Sequence, residues 1–161
     1  GRKIASIAKS LGMTIHYHNR SKLSKDKEDG ATFHKDLKSL LNVSDVLSVC
    51  CPATKETTNL INKETLEYLP PGAVVTNVAR GDIVNDEALI EALNSRKVYA
   101  VGLDVYKGEP NLNPGYLKHK SAFILPHLGS ASKHTRTAMA NLAIDNIDEF
   151  FKTGSSKNKV N

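Results

Sequence analysis

Cysteine is nearly absent from this 161-residue chain: there are two, adjacent at Cys50 and Cys51. Neighbouring residues on a strand point to opposite faces, and neither thiol has a metal-ligand partner at usable spacing, so no metal is expected. A buried pair of free thiols in a reducing compartment is the expectation, which points to a cytoplasmic protein. Long apolar runs are missing too; stretches such as residues 72–75 fall far short of a membrane span. Aromatic residues make up only 6% of the chain and the lysines scatter without forming a basic stripe. The net charge of +5 is therefore read as a solvated surface and not as a nucleic-acid face. No low-complexity tract interrupts the chain, which argues against disorder. No signal peptide is visible, and the chain opens on Gly1 in place of Met. The native N-terminus, with any targeting segment, is expected to lie outside it.

What is present is an alternation of helical and strand-like patterns, in a length suited to one domain. Residues 4–11 place Ile4, Ile7, Ala8 and Leu11 on one helical face, and residues 13–17 read as a short strand. A short helix over 36–41 and a buried strand over 46–50 follow. Residues 63–68 look helical and are stopped by Pro70 and Pro71, after which 73–77 is a strand. The pattern continues with a helix over 86–94, strands over 98–103 and 122–125, and a last long helix over 132–151. This predicts an α/β fold, a doubly wound parallel sheet of the Rossmann type. Ligands of such sheets bind outside the carboxyl ends of the strands, so the residues just after each strand carry the functional reading.

The chain enters its first helix directly, with Gly1 standing where the last glycine of a glycine-rich phosphate turn would stand. The next strand is followed by Asn19, Arg20 and Ser21, where a site for NAD wants a carboxylate for the ribose hydroxyl. A guanidinium can instead pair a 2′-phosphate bidentately, which favours NADP over NAD; the bland alternative is an ordinary polar turn. Cys51-Pro52-Ala53-Thr54 closes the following strand and could line an adenosine pocket, or simply end the strand. Arg80 follows small apolar residues and precedes Gly81, whose freedom would permit a tight turn; a lone arginine there is more often a surface side chain. Asp104 ends a strand, Glu109 follows five residues on, and the last strand delivers His127, which taken alone would more often be structural. Together, an arginine, a glutamate and a histidine at three strand ends can hold an oxo acid and protonate its carbonyl as hydride arrives.

At these residues the chain resembles the D-2-hydroxyacid dehydrogenase family, in particular its glyoxylate/hydroxypyruvate reductase branch. The resemblance covers nearly the whole chain. It rests on Asn77-Val78-Ala79-Arg80-Gly81, on Gly102-Leu103-Asp104-Val105 through Gly108-Glu109-Pro110, and on Pro126-His127-Leu128-Gly129-Ser130-Ala131, in that order. It implies that Arg80 grips the substrate carboxylate and carbonyl oxygen, that His127 gives or takes the proton, and that Glu109 bonds His127 and raises its proton affinity. Asp104 is expected near the nicotinamide carboxamide. The cofactor-binding set so implied is Gly1, Arg2, Asn19, Arg20, Ser21, Cys51, Pro52, Thr57, Val78, Ala79, Asp104, His127 and Gly129. The cofactor domain is expected over residues 1–151, with a polar tail over 152–161.

Members of this family also have a first strand, two earlier glycines and a separate substrate domain that have no counterpart here. In a sheet of order 3-2-1-4-5-6 the missing strand leaves a gap and exposes unpaired backbone. The intact protein is expected to be a homodimer that moves hydride between NAD(P)H and a small 2-oxo or 2-hydroxy acid, with the isolated chain inactive. The alternatives are a cofactor-sensing, corepressor-like binding module and an inactive truncated fragment.

Overall fold

A computed structural model describes residues 1–160. The chain divides into two compact units, Gly1–Pro126 and the segment from His127 onward.

In the first unit the order is α1 (Arg2–Ser10), β1 (His16–His18), α2 (Lys25–Glu28), β2 (Thr32–His34), α3 (Leu37–Leu41), β3 (Val46–Val49), α4 (Lys63–Glu67), β4 (Ala73–Asn77), α5 (Asp86–Asn94), β5 (Val98–Leu103) and β6 (Ala122–Ile124). Short 3-10 turns occupy Gly81–Ile83 and Pro114–Lys118. All strand pairs are parallel. The pairing forms one sheet of order β3-β4-β5-β6 and a separate pair β1-β2. The split falls between β1 and β3, which are not hydrogen-bonded to each other.

Registers Val49↔Asn77, Asn77↔Leu103 and Leu103↔Ile124 align the carboxyl ends of the four central strands on one rim. Local chemistry sets the elements between them. Asn62 and Thr65 form a reciprocal capping box at α4, and Asn85 accepts from the Ala88 N–H at 2.9 Å to start α5. Ala88, Leu89, Ala92 and Leu93 of α5 are buried at helical spacing against the strands, and alternate residues of β4 (Ala73, Val75, Asn77) are buried as well. Tyr116 closes the core from the second 3-10 turn, its hydroxyl donating to Asp86 Oδ1 at 2.9 Å.

The first forty residues differ from the reading in detail. The early strand lies at His16–His18 and not at residues 13–17. Residues 11–13 are consumed by the closing turn of α1, where Met13 N–H bonds Ala8 O at 3.1 Å. Pairing begins only opposite Thr32, on a strand the sequence reading missed. The apolar face of α1 is also left open, with Ile7 63% and Leu11 76% exposed, because no central strand lies beneath it among the described residues.

The second unit is a turn leading into α6 (Lys133–Thr153), capped by the Ser132 hydroxyl on Thr135 N–H at 3.2 Å and ended by Gly154 in the left-handed region. Among the described residues, no helix is long and apolar enough to cross a membrane.

Candidate active site

The rim of the central sheet is organised by Asn77, a buried amide 1% exposed at the end of β4. Its Nδ2 donates to Arg80 O at 2.8 Å, its Oδ1 accepts from Ala79 N–H at 3.0 Å, and its carbonyl accepts from Asp104 N–H at 3.1 Å. One side chain thus shapes the turn carrying Arg80, and its backbone fixes the end of β5. A buried amide satisfied at both ends defines geometry in this way, because leaving either end unpaired would be costly. Arg80 itself is exposed and donates from Nη1 to Ala79 O at 2.6 Å.

Gly81 couples this turn to the loop that bears Glu109. Its role is close approach, not the tight turn expected from sequence. A Cβ at Gly81 would lie 2.1 Å from Tyr106 C, 2.2 Å from Tyr106 O and 2.4 Å from Lys107 N. No side chain fits there. The Glu109 loop is closed on itself: Glu109 Oε1 accepts from Tyr106 N–H at 3.1 Å, Asn111 N–H bonds Gly108 O at 3.0 Å, and the Glu109–Pro110 peptide is cis. Val105, 1% exposed, anchors it to the core. The turns of Arg80 and Glu109 are therefore packed backbone to backbone.

A groove of about 540 Å³ opens at the same rim, lined by Cys50, Cys51, Pro52, Ala53, Val78, Ala79 and Arg80. Of the residues read from sequence as cofactor-binding, it gathers Cys51, Pro52, Val78 and Ala79, with the catalytic candidate Arg80. Cys50 corrects the expectation of two buried thiols. It is exposed and Cys51 is half-buried, because β3 ends at Val49 and both lie beyond it. Burial pushes the Cys51 thiol above its ordinary range. Gly1 sits beside the groove, where a Cβ would come 3.5 Å from Cys50 Cβ. The N-terminus of α1, which has no side-chain cap, therefore opens near the end of β3. Uncapped N–H groups at such a place suit a phosphate, so the residues present fit a dinucleotide. Arg2 is exposed in the first turn of that helix.

Thr57 lies further round the rim and works on the wall of the groove. Its hydroxyl donates to Pro52 O at 2.8 Å and accepts from Thr54 N–H at 2.8 Å, stapling residues 52–57. Asn19, Arg20 and Ser21 are exposed beyond β1, with Asn19 Oδ1 accepting from Arg20 N–H at 2.9 Å. The Glu56 carboxyl is held below its ordinary range, chiefly by the Thr54 hydroxyl and to a small extent by the charge of Arg20. The charge of Arg20 thus reaches the stapled loop. His127 and Gly129 belong to the second unit. His127 sits at φ 55 and Ser130 at φ 63, left-handed conformations that non-glycine residues seldom hold without a reason.

The sequence reading missed Asn77 as an organiser, Cys50 as a lining residue and the true reason for Gly81. A buried amide at a strand end was the available signal for the first. The others depend on contacts distant in sequence.

Comparison with known proteins agrees with this architecture. Residues 1–129 match the family described as D-isomer specific 2-hydroxyacid dehydrogenase, NAD binding domain. The chain belongs to that family and forms part of its NAD-binding domain. It is 42% identical over 153 residues to a glycerate dehydrogenase of Hyphomicrobium methylovorum, covering 94% of this chain and 48% of that one. A glyoxylate reductase of Thermococcus litoralis is 36% identical over 161 residues, covering 100% of this chain and 49% of the relative. Among solved structures, an NADPH-dependent glyoxylate/hydroxypyruvate reductase from Sinorhizobium meliloti, in complex with NADP and malonate, superposes with a TM-score of 0.90 at 36% identity. That superposition covers 96% of this chain and 47% of the other. The chain spans about half the length of the relatives it matches.

Proposed function

We propose that the whole protein carrying this domain is an NADP-dependent reductase of small 2-oxo acids of the glyoxylate or hydroxypyruvate class. The observation that carries this reading is the joining of the Arg80 turn and the Glu109 loop through Gly81, at the edge of a groove suited to a dinucleotide. The bound nicotinamide supplies the hydride. The chain's own residues supply the rest. The N-terminus of α1 faces the pyrophosphate. Arg20 pairs the 2′-phosphate, and residues 50–53 with Val78 and Ala79 form the wall of the cleft. Asp104 orients the carboxamide, and Gly129 is assigned to the same cofactor-binding set. Arg80 swings its guanidinium from Ala79 O to the substrate carboxylate, where a planar fork gives two parallel hydrogen bonds. His127 delivers a proton to the carbonyl oxygen, with Glu109 assigned as its acidic partner.

We further place the protein in the cytoplasm as a homodimer. Free thiols suit a reducing compartment, and the apolar side chains exposed on α6, including Leu142, Ile147 and Phe150, suit burial in the whole protein. The test is oxidation of NADPH and of NADH by the intact enzyme with glyoxylate and with hydroxypyruvate. Turnover with NADPH preferred is expected. No turnover with any small 2-oxo acid would remove the enzymatic reading, and a preference for NADH would remove the NADP assignment alone.

A further inference from the structure

Away from the groove, β1, β2 and α3 share a chain of hydrogen bonds between titratable side chains that the proposed reaction does not use. His16 Nδ1 lies 2.9 Å from His34 Nε2, and His34 Nδ1 lies 3.2 Å from Ser39 Oγ. Ser39 Oγ in turn donates toward Asp36, to its carbonyl at 3.0 Å and to Oδ2 at 3.1 Å. His18 Nδ1 bonds the His34 carbonyl at 2.9 Å. His16, His34 and Ser39 are half-buried.

The protons in this chain can be assigned by elimination. Both Asp36 atoms are acceptors only, so the single Ser39 hydroxyl proton points to Asp36. Ser39 Oγ must then accept from His34, which puts the His34 proton on Nδ1 and leaves Nε2 bare. The bare Nε2 accepts from His16 Nδ1–H. The carboxyl of Asp36 is held below its ordinary range by the Ser39 backbone N–H and then by the Ser39 hydroxyl, with His18 and His34 adding to the effect. It therefore stays an acceptor. A proton on His34 Nε2 would set N–H against N–H and break the contact.

We propose that His34 is a positioning residue, which through His16 and Ser39 ties the segment of residues 19–21 to α3 and makes its position depend on protonation. This rests on the reading of that segment as the partner of the cofactor's ribose end. Two features make the tie consequential. The segment follows β1 directly, and no residue before Leu41 is buried, so side-chain hydrogen bonds carry a large share of its anchoring. The charged and titratable groups facing the pair are His18 from β1 and Asp36 from the cap of α3. Lys38 of α3 is engaged elsewhere, over the Tyr68 ring at 4.5 Å, and Tyr17, on the opposite face of β1, bonds Glu28.

The test is nuclear magnetic resonance of protein labelled with 15N in the histidine rings and the backbone, taken from pH 8 to pH 5, the range in which imidazole ordinarily changes charge. His34 is expected to hold its proton on Nδ1 at the alkaline end. The amides of residues 19–21 are expected to shift in step with the His34 ring, and to lose that shift in His34→Gln. A proton on Nε2, or amide shifts that persist in His34→Gln, would overturn the proposal. Ser39→Ala gives a second route that keeps both imidazoles: His34 should move its proton to Nε2 and the coupling should vanish, and retained coupling would again overturn it. None of these readouts needs cofactor. A preference for NADH in the intact enzyme would thus sink the NADP reading and leave the histidine result standing.

Discussion

Residues 1–40 and residues 41–116 of the first unit are built by different means. Every buried side chain lies in the second stretch, from Leu41 to Tyr116, and none in the first. The second stretch holds the Arg80 and Glu109 turns by close packing, with Val75 and Leu89 of its core at 0% exposure. The first holds the residues proposed to face the cofactor by polar links, among them the His16–His34–Ser39 chain and the Lys9–Asp29 ion pair at 3.0 Å. The difference separates two tasks. Chemistry needs groups fixed to a fraction of an ångström, which packed interiors provide. Recognition of a ribose phosphate tolerates a segment set by hydrogen bonds, and such links respond to pH and salt as packing does not.

The largest effects are expected on chemistry. In the intact enzyme His127→Ala should cost about a hundred- to ten-thousandfold in kcat while leaving NADPH affinity nearly unchanged. Arg80→Lys should also fail badly, since an ammonium cannot copy the bidentate fork. Steady-state kinetics with glyoxylate reads both, and near-normal rates would take either residue out of the mechanism.

Next come substitutions that set the two stretches against each other. Leu89→Ala, at a site 0% exposed, should destabilise the chain by about 2–5 kcal/mol. Ile7→Ala, at a site 63% exposed, should cost less than about 0.5 kcal/mol. Gly81→Ala belongs with the first, at about 3 kcal/mol, because its Cβ meets backbone and not a flexible side chain. Urea unfolding of the 161-residue polypeptide gives all three numbers. Equal costs for Leu89→Ala and Ile7→Ala would erase the contrast between the stretches.

A smaller effect should come from Arg20, in the polar-linked stretch. Arg20→Asp should shift the NADPH-to-NADH ratio of kcat/KM by at least about tenfold toward NADH. Stability should move by less than about 0.5 kcal/mol, as for other exposed sites. A variant that loses stability but keeps its preference would mean that Arg20 holds the fold and not the phosphate.

The same contrast explains what could be read from sequence. β4, α5 and β5 follow the reading residue for residue, since Pro70 and Pro71, the Asn85 cap and dense apolar runs are local signals. β2 and α2 escaped it. A strand of three residues and a helix of four are too short for periodicity, and Thr32–His34 is a strand only because His16–His18 pairs with it. At the site, Arg80 and Glu109 could be placed at strand ends from spacing alone. The need for glycine at 81 and the hold of Asn77 on the end of β5 could not, because both arise where residues 77–81 meet 104–107, more than twenty positions along the chain.

The smallest expected effect lies inside the packed stretch, where one carboxyl is buried. Asp86, 5% exposed, accepts from the Tyr116 hydroxyl, and burial pushes its carboxyl above the ordinary range. The folded chain therefore keeps a proton on Asp86 to higher pH than the unfolded chain does. Where the native state binds more protons, stability falls as pH rises. The stabilising contribution is complete below the unfolded value, near 4, and is lost as pH climbs through the raised folded value. Asp86→Asn removes this ionisation while leaving an amide oxygen to accept from Tyr116. The stability of wild type relative to Asp86→Asn should thus decline from pH 4 to pH 7, measured as the difference in urea midpoints across that range. A charge at the first turn of α5 also gains from the helix dipole, which offsets part of the burial cost and keeps the slope shallow. A relative stability that rises with pH would mean that the dipole and the Tyr116 bond outweigh burial, and that the interior beneath the Arg80 and Glu109 turns tolerates charge better than its packing implies.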